Sequence, residues 1–185
     1  MLVLASQSPR RKELLERAGL QFTIRVPKVD EVRLPDEPPE IYVERLARDK
    51  AFAVPAAPGE WILAADTTVV LDHHVLEKPA DDNDARRMLR LLSGRTHQVM
   101  TGVCLRRGQD SWTAVETTDV EFRPLTKEEI DAYVSSGEPR DKAGAYAIQG
   151  LASKFIPRIE GCYFNVVGLP VARVCELLLA SGYPL

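Results

Sequence analysis

The sequence predicts an α/β fold built on a mixed sheet, and two observations predict it. Strand-length apolar runs alternate with segments of helical periodicity. Two later strand-like runs follow one another across a short turn, which favours a hairpin within the sheet over purely parallel pairing. Leu2-Val3-Leu4-Ala5 reads as a short buried strand. Ser8 then has the character of a helix N-cap, with Pro9 at the first helical position, where its missing N–H costs nothing. Leu14, Leu15 and Ala18 form the apolar stripe and Gly19 the stop. A loop over Leu34 to Pro39 leads to a second helix, with Val43, Leu46, Ala47 and Val54 at helical spacing.

After the loop Pro55 to Glu60, Trp61 to Leu71 reads as a mostly apolar strand, followed by a turn at Asp72-His73-His74. Asp82 to Leu92 is a third helix with acids at its start, stopped by Ser93-Gly94. Val99 to Arg106 and Trp112 to Phe122 are neighbouring strands joined around Gly108. Thr126-Lys127-Glu128-Glu129 fits a capping box, opening a helix that Gly137 ends. Phe155-Ile156 and Tyr163 to Val167 are read as further strands, and Pro170 starts a last helix.

The 185 residues fit one domain, and 45% hydrophobic with 28% charged residues is an ordinary globular mix. Lys+Arg 24 against Asp+Glu 27 gives a net charge of −3, which disfavours a nucleic-acid partner, since duplex binding needs a basic face. Cys104, Cys162 and Cys175 form no CxxC pair, so neither a disulfide framework nor a zinc site is expected. Met1 to Ala5 is too short for a signal peptide, and Arg10-Arg11-Lys12 interrupts it. With no stretch near the ~18 apolar residues of a membrane helix, the expectation is a cytoplasmic protein without a membrane partner.

Four features carry chemistry. Arg10 and Arg11 stand in the first turn of a helix, where the macrodipole is positive, so each is misplaced by about 0.3–1 kcal/mol. A bound polyanion reverses that sign, because N–H groups, the Ser6 and Ser8 hydroxyls and two guanidinium forks can converge on phosphates. Lys50 lies on the apolar face of its helix and by itself reads as a snorkelling stem, or as a cation aimed into a cleft. Asp66 interrupts the uncharged run Trp61 to Ala65, and a carboxylate there needs a partner. Asp30, Glu31 and Lys78 are candidates for a shared metal–phosphate site. Asp141 to Gly150 contains two glycines and Gln149, whose amide can read a donor–acceptor edge of a base.

Other motifs are missing. There is no P-loop, GxGxxG or HExxH, and His97 lacks a nucleophile partner for a triad. His73-His74 read as turn decoration, and Cys162 and Cys175 as core residues.

Several blocks in order resemble the Maf family of house-cleaning nucleoside triphosphate pyrophosphatases, also named for inhibition of septum formation. They are Ala5-Ser6-Gln7-Ser8-Pro9-Arg10-Arg11, Ala65-Asp66-Thr67, Glu77-Lys78-Pro79, Leu92 to His97, Asp141 to Tyr146 and Asn165 to Pro170. The resemblance implies one bilobed domain over residues 1–185, with a mixed twisted sheet, flanking helices and two lobes around a central cleft, related to the inosine triphosphatases. It implies metal-dependent hydrolysis of a nucleoside triphosphate to the monophosphate and pyrophosphate, and relatives that are often homodimers. Ile148-Gln149-Gly150 resembles the dTTP/UTP branch, whereas the 7-methyl-GTP branch has Glu where Gln149 stands. Thr67, Gln149 and Arg10 resemble positions linked to specificity. One departure is Cys162, where relatives commonly carry Ser.

Taken together, the two readings assign catalysis to Asp66, Glu31 and Lys78, and a Mg²⁺ or Mn²⁺ ion to Glu31 and Asp66. Substrate binding falls to Ser6, Ser8, Arg10, Arg11, Lys50, Thr67, Lys142 and Gln149. The alternatives are a 7-methyl-GTP pyrophosphatase of the same fold and a nucleotide-binding division regulator without turnover.

Overall fold

The computed structural model describes all 185 residues, and the chain divides into two compact units. Its elements in order are β1 (Leu2–Leu4), α1 (Pro9–Arg17), β2 (Phe22–Ile24), α2 (Pro39–Ala53), β3 (Trp61–Leu71), β4 (His74–Leu76), α3 (Asp82–Leu92), β5 (Thr96–Arg107), β6 (Asp110–Glu121), α4 (Lys127–Ser135), β7 (Arg158–Glu160), α5 (Tyr163–Val167) and α6 (Val171–Ala180). The sheet order is β2-β1-β3-β5-β6-β7, with β4 on β3. Pairing is mixed as expected: β1 runs parallel to β2 and β3, while β3–β4 and β6–β7 are antiparallel.

The first unit comprises residues 1–67, 101–116 and 168–185. Its core against α2 is made of small side chains: Val3, Ala5, Ala47, Ala51, Ile62, Ala64 and Cys104. Small residues let the helix lie close to the strands. The closest approach is at Gly102 of β5, where a Cβ would meet the Val43 carbonyl oxygen at 2.2 Å. Only glycine admits α2 at that distance. Val43 and Lys50 are seven residues apart, on one helix face, so the approach that Gly102 permits also carries Lys50 toward the sheet.

The second unit comprises residues 68–100 and 117–167. Its core includes Leu89 and Leu92 of α3, Tyr133 and Val134 of α4, and the aromatic rings of Phe122 and Phe155. The capping box at Thr126 is formed in both directions with Glu129, and Asp81 caps α3 through Asp84 N–H.

Three expectations are corrected. The run Tyr163 to Val167 is a short helix, not a strand. Asn165 at its centre is fully buried and donates to the Val99 carbonyl and Thr118 hydroxyl, so tertiary bonding overrides the strand propensity of the run. Phe155 ends a 3-10 turn, and the nearby strand is Arg158–Glu160. Cys162 and Cys175 are half-buried rather than core residues, whereas Cys104 is buried. The Cys162 backbone N–H and C=O both bond the Thr118 hydroxyl, so this position is held by its backbone whether it carries sulfur or oxygen.

Candidate functional site

Strand β3 sets the site by its period of two. Ile62, Ala64 and Asp66 share the face packed by α2, and Trp61, Leu63, Ala65 and Thr67 share the other. Asp66 is thus presented to α2, from which Lys50 reaches it: Lys50 Nζ lies 2.6 Å from Asp66 Oδ1. The same ammonium lies 2.8 Å from Glu31 Oε1. The Lys50 and Asp66 side chains are 9% and 10% exposed, and that of Glu31 is 47% exposed. Lys50 is therefore no snorkelling stem but a buried cation shared by two carboxylates.

Burial pushes the Asp66 carboxyl above the ordinary aspartate value, and the nearby Glu31 charge adds to this; Lys50 and Arg11 pull the other way. The Arg11 guanidinium is lowered by desolvation and by Arg10, while Asp66 and Glu31 favour its charge.

The loop before α1 is built as the sequence implies. Ser8 caps the helix by accepting from Arg11 N–H, and the buried Ser6 hydroxyl accepts from Ser8 N–H. No acidic residue stands in the first turn, leaving Arg10 and Arg11 at the positive end. The Arg11 side chain turns to the face of β3 away from α2. Its Nε donates to the Gly168 carbonyl at 2.8 Å, and Nη2 donates to Thr67 Oγ1 at 3.0 Å. Thr67 Oγ1 also lies 2.9 Å from Thr101 Oγ1 and 3.3 Å from the Gly168 carbonyl. Gly168 has φ +129°, a conformation that favours glycine.

The first unit therefore gathers Ser6, Ser8, Arg10, Arg11, Glu31, Lys50, Asp66 and Thr67. The remaining sequence-derived candidates belong to the second unit. Lys78 and Gln149 are exposed. Lys142 Nζ is engaged locally by the Glu138 carbonyl and Asp141 Oδ1. Gln149 is bracketed by two held amides: Ala147 N–H donates to Tyr133 Oη and Leu151 N–H donates to Glu138 Oε1. His97 is buried with Nε2 2.8 Å from Tyr146 Oη, and desolvation pushes its pKa down to about 3. It is a core histidine.

Sequence reasoning missed Thr101 and the Gly168 carbonyl. Thr101 is a fully buried hydroxyl residue on β5, and a polar residue opening an otherwise apolar strand run was the available signal. The carbonyl role of Gly168 leaves no mark in the sequence. No three Asp, Glu, His or Cys side chains converge as an all-protein metal cage, and no helix is long and apolar enough to cross a membrane.

The chain is similar along its whole length to known proteins. A dTTP/UTP pyrophosphatase of Anaeromyxobacter dehalogenans (strain 2CP-C) is 55% identical over 188 residues, covering 100% of this chain and 95% of the relative. One of Vibrio cholerae serotype O1 is 54% identical and covers 96% of each chain. Among solved structures, a HAM1 protein from Coxiella burnetii matches with a TM-score of 0.53 at 16% identity, covering 97% of this chain and 98% of that one, a likeness of fold alone. The family model described as Maf-like protein matches residues 1–181. With that match and full-length relatives above 50% identity, the chain belongs to the Maf family.

Proposed function

We propose that this protein hydrolyses dTTP and UTP to the nucleoside monophosphate and pyrophosphate. The observation that carries the reading is the Lys50 ammonium held between Asp66 and Glu31, two carboxylates whose charges also act on Arg11 at a helix N-terminus. Cations suited to a triphosphate and carboxylates suited to a proton acceptor are gathered in one unit. The full-length relatives named dTTP/UTP pyrophosphatase give the substrate class.

The carboxylate pair fits a Mg²⁺ or Mn²⁺ ion. Glu31 and Asp66 would supply it with hard oxygen donors, beside the carboxylate oxygens that face the Lys50 ammonium. Two carboxylates leave most of the coordination shell to phosphate oxygens and water, as magnesium commonly has it in nucleotide enzymes. When bound, the ion supplies charge neutralisation and polarisation of the phosphoryl group.

The chain's own residues do the rest. The Ser6 and Ser8 oxygens are occupied as acceptors, which leaves their protons to donate to phosphate oxygens. Arg11 spends Nε and one Nη2 proton on Gly168 and Thr67 and keeps its other donors for phosphate. Lys50 spends two N–H on carboxylates and keeps a third. An Asp66 carboxylate oxygen takes the proton of the attacking water, and burial makes that oxygen more basic than an exposed aspartate. The water oxygen bonds to the α-phosphorus as the bond to the bridging oxygen of the leaving pyrophosphate breaks, and Arg10, Arg11 and Lys50 balance the charge that departs. In the second unit, Lys78 and Lys142 remain the sequence-derived candidates for phosphate and Gln149 the candidate for the base.

The test is Asp66→Asn. A general base contributes about 10²–10⁴-fold, so kcat should fall by that order while KM changes far less. Turnover at the wild-type rate removes Asp66 from the role.

A further inference from the structure

We infer that Arg45 is a positioning residue for Glu31, holding the segment from Glu31 to Glu37 against α2 through the buried carboxylate of Glu37. That segment lies between β2 and α2 and contains neither helix nor strand. Apolar burial does not fix it, since Val32 and Leu34 are 67% and 53% exposed while the charged Glu37 is only 6% exposed, the reverse of the ordinary pattern. The buried charge is met by a bidentate pair: Arg45 Nε donates to Glu37 Oε1 at 2.6 Å and Nη2 donates to Glu37 Oε2 at 2.8 Å. Nη2 also donates to the Val32 carbonyl at 3.0 Å. One guanidinium therefore ties both ends of the segment to the same helix.

The segment also closes on itself around Glu37. Leu34 N–H donates to Glu37 Oε2 at 3.0 Å, Glu37 N–H donates to the Leu34 carbonyl at 3.2 Å, and the Arg33 guanidinium donates to the Glu37 carbonyl. Beside Val32, the Glu31 carbonyl accepts from Tyr42 Oη at 3.4 Å, so two consecutive carbonyls are held by side chains of α2. Tyr42, Arg45 and Asp49 succeed one another on one face of that helix, and Arg45 Nη1 reaches Asp49 Oδ2 at 3.3 Å. One position on, Lys50 Nζ lies 2.8 Å from Glu31 Oε1. The backbone that follows Glu31 and the Glu31 carboxylate are thus both referred to α2. Arg45 acts through Glu31: it sets where that carboxylate stands.

The bearing on Mg²⁺ and turnover rests on the pyrophosphatase reading, whereas the position of Glu31 in the free protein does not. The experiment therefore has two readouts on Arg45→Met, Arg45→Lys and the double variant Arg45→Met/Glu37→Met. The first is the NMR cross-relaxation signal (NOE) between the Lys50 and Glu31 side chains in nucleotide-free protein with EDTA. The second is pyrophosphate release from dTTP as Mg²⁺ is raised. Arg45→Met should lose the NOE. A hydrogen bond to a charged group is worth roughly tenfold or more, so half-saturation by Mg²⁺ should rise by about that factor while kcat recovers at saturating Mg²⁺. Arg45→Lys keeps the charge but cannot span several acceptors, so it should behave as Arg45→Met. The single variant strands a buried carboxylate, whereas the double variant removes both charges, so its urea midpoint should return toward wild type. Its NOE should stay lost and its Mg²⁺ requirement high, because the tie to Val32 is still missing. An NOE retained in Arg45→Met or Arg45→Lys, an NOE regained in the double variant, or an unchanged Mg²⁺ half-saturation in Arg45→Met overturns the inference. If the wild type releases no pyrophosphate from dTTP while Arg45→Met still loses the NOE, the reaction assignment fails and the positioning role stands.

Discussion

Replacing Lys50 with methionine removes the ammonium and keeps the length and apolar stem of the side chain, so the loss it produces is electrostatic. Two arms of the bridge differ. Glu31 is nearly half exposed, and an ion pair there is screened to about 1 kcal/mol or less. Asp66 is buried, and stranding a buried carboxylate costs about 3–5 kcal/mol. Part of that cost is relieved by proton uptake, because burial already pushes the Asp66 carboxyl upward. The expected destabilisation of Lys50→Met at neutral pH is therefore about 3 kcal/mol. Asp66→Asn leaves Lys50 bonded to Glu31 and should cost only about 1–2 kcal/mol. The double variant removes the charge and its stranded partner together, so the two losses should fall short of additive by about 2 kcal/mol. Urea unfolding of all four proteins in EDTA measures the cycle, with midpoints compared at constant m-value. A Lys50→Met protein within about 0.5 kcal/mol of wild type, or a cycle additive to that margin, refutes the reasoning.

Three further outcomes are expected. Gly102→Ala places a methyl where the Val43 carbonyl oxygen stands, so α2 must shift by more than an ångström; stability should fall by about 1–3 kcal/mol and kcat with it, read by thermal unfolding and pyrophosphate release. His97 has a folded pKa near 3 against 6.5 for the free side chain, so the unfolded chain binds the extra proton between those values. Wild-type stability should fall as pH drops below about 6.5 with a slope up to about 1.4 kcal/mol per unit steeper than that of His97→Gln; parallel curves from urea titrations would contradict the buried neutral imidazole. Gln149→Glu should weaken the preference for dTTP and UTP over purine triphosphates, and an unchanged substrate profile removes Gln149 from base recognition.

Most of the fold was readable because its signals are local. Asp82–Leu92 and Trp61–Leu71 carry their own caps and apolar runs and form over those bounds. β2 escaped notice because Phe22–Ile24 is a three-residue, mostly exposed edge strand with no alternation to read. Tyr163–Val167 was misread because its composition favours a strand while the buried Asn165 amide ties it down as a helix. The site shows the same division. Asp66 stood out as a charge in an apolar run, and Ser8, Arg10 and Arg11 by their place at a helix start. The true partner of Asp66 did not: helical spacing puts Lys50 on the inner face but cannot say whether an ammonium there meets water or a carboxylate. Thr101 and the Gly168 carbonyl belong to pairings across the chain that depend on register, which no local pattern encodes.

The most direct test of the account is pyrophosphate release from dTTP, UTP, CTP, dATP, GTP and 7-methyl-GTP, each with Mg²⁺ and with EDTA. The account predicts turnover that is strongest on dTTP and UTP and abolished by EDTA. Strongest turnover on 7-methyl-GTP would contradict the reading of Gln149, and binding of nucleotide with no pyrophosphate released from any of the six would contradict the enzyme itself.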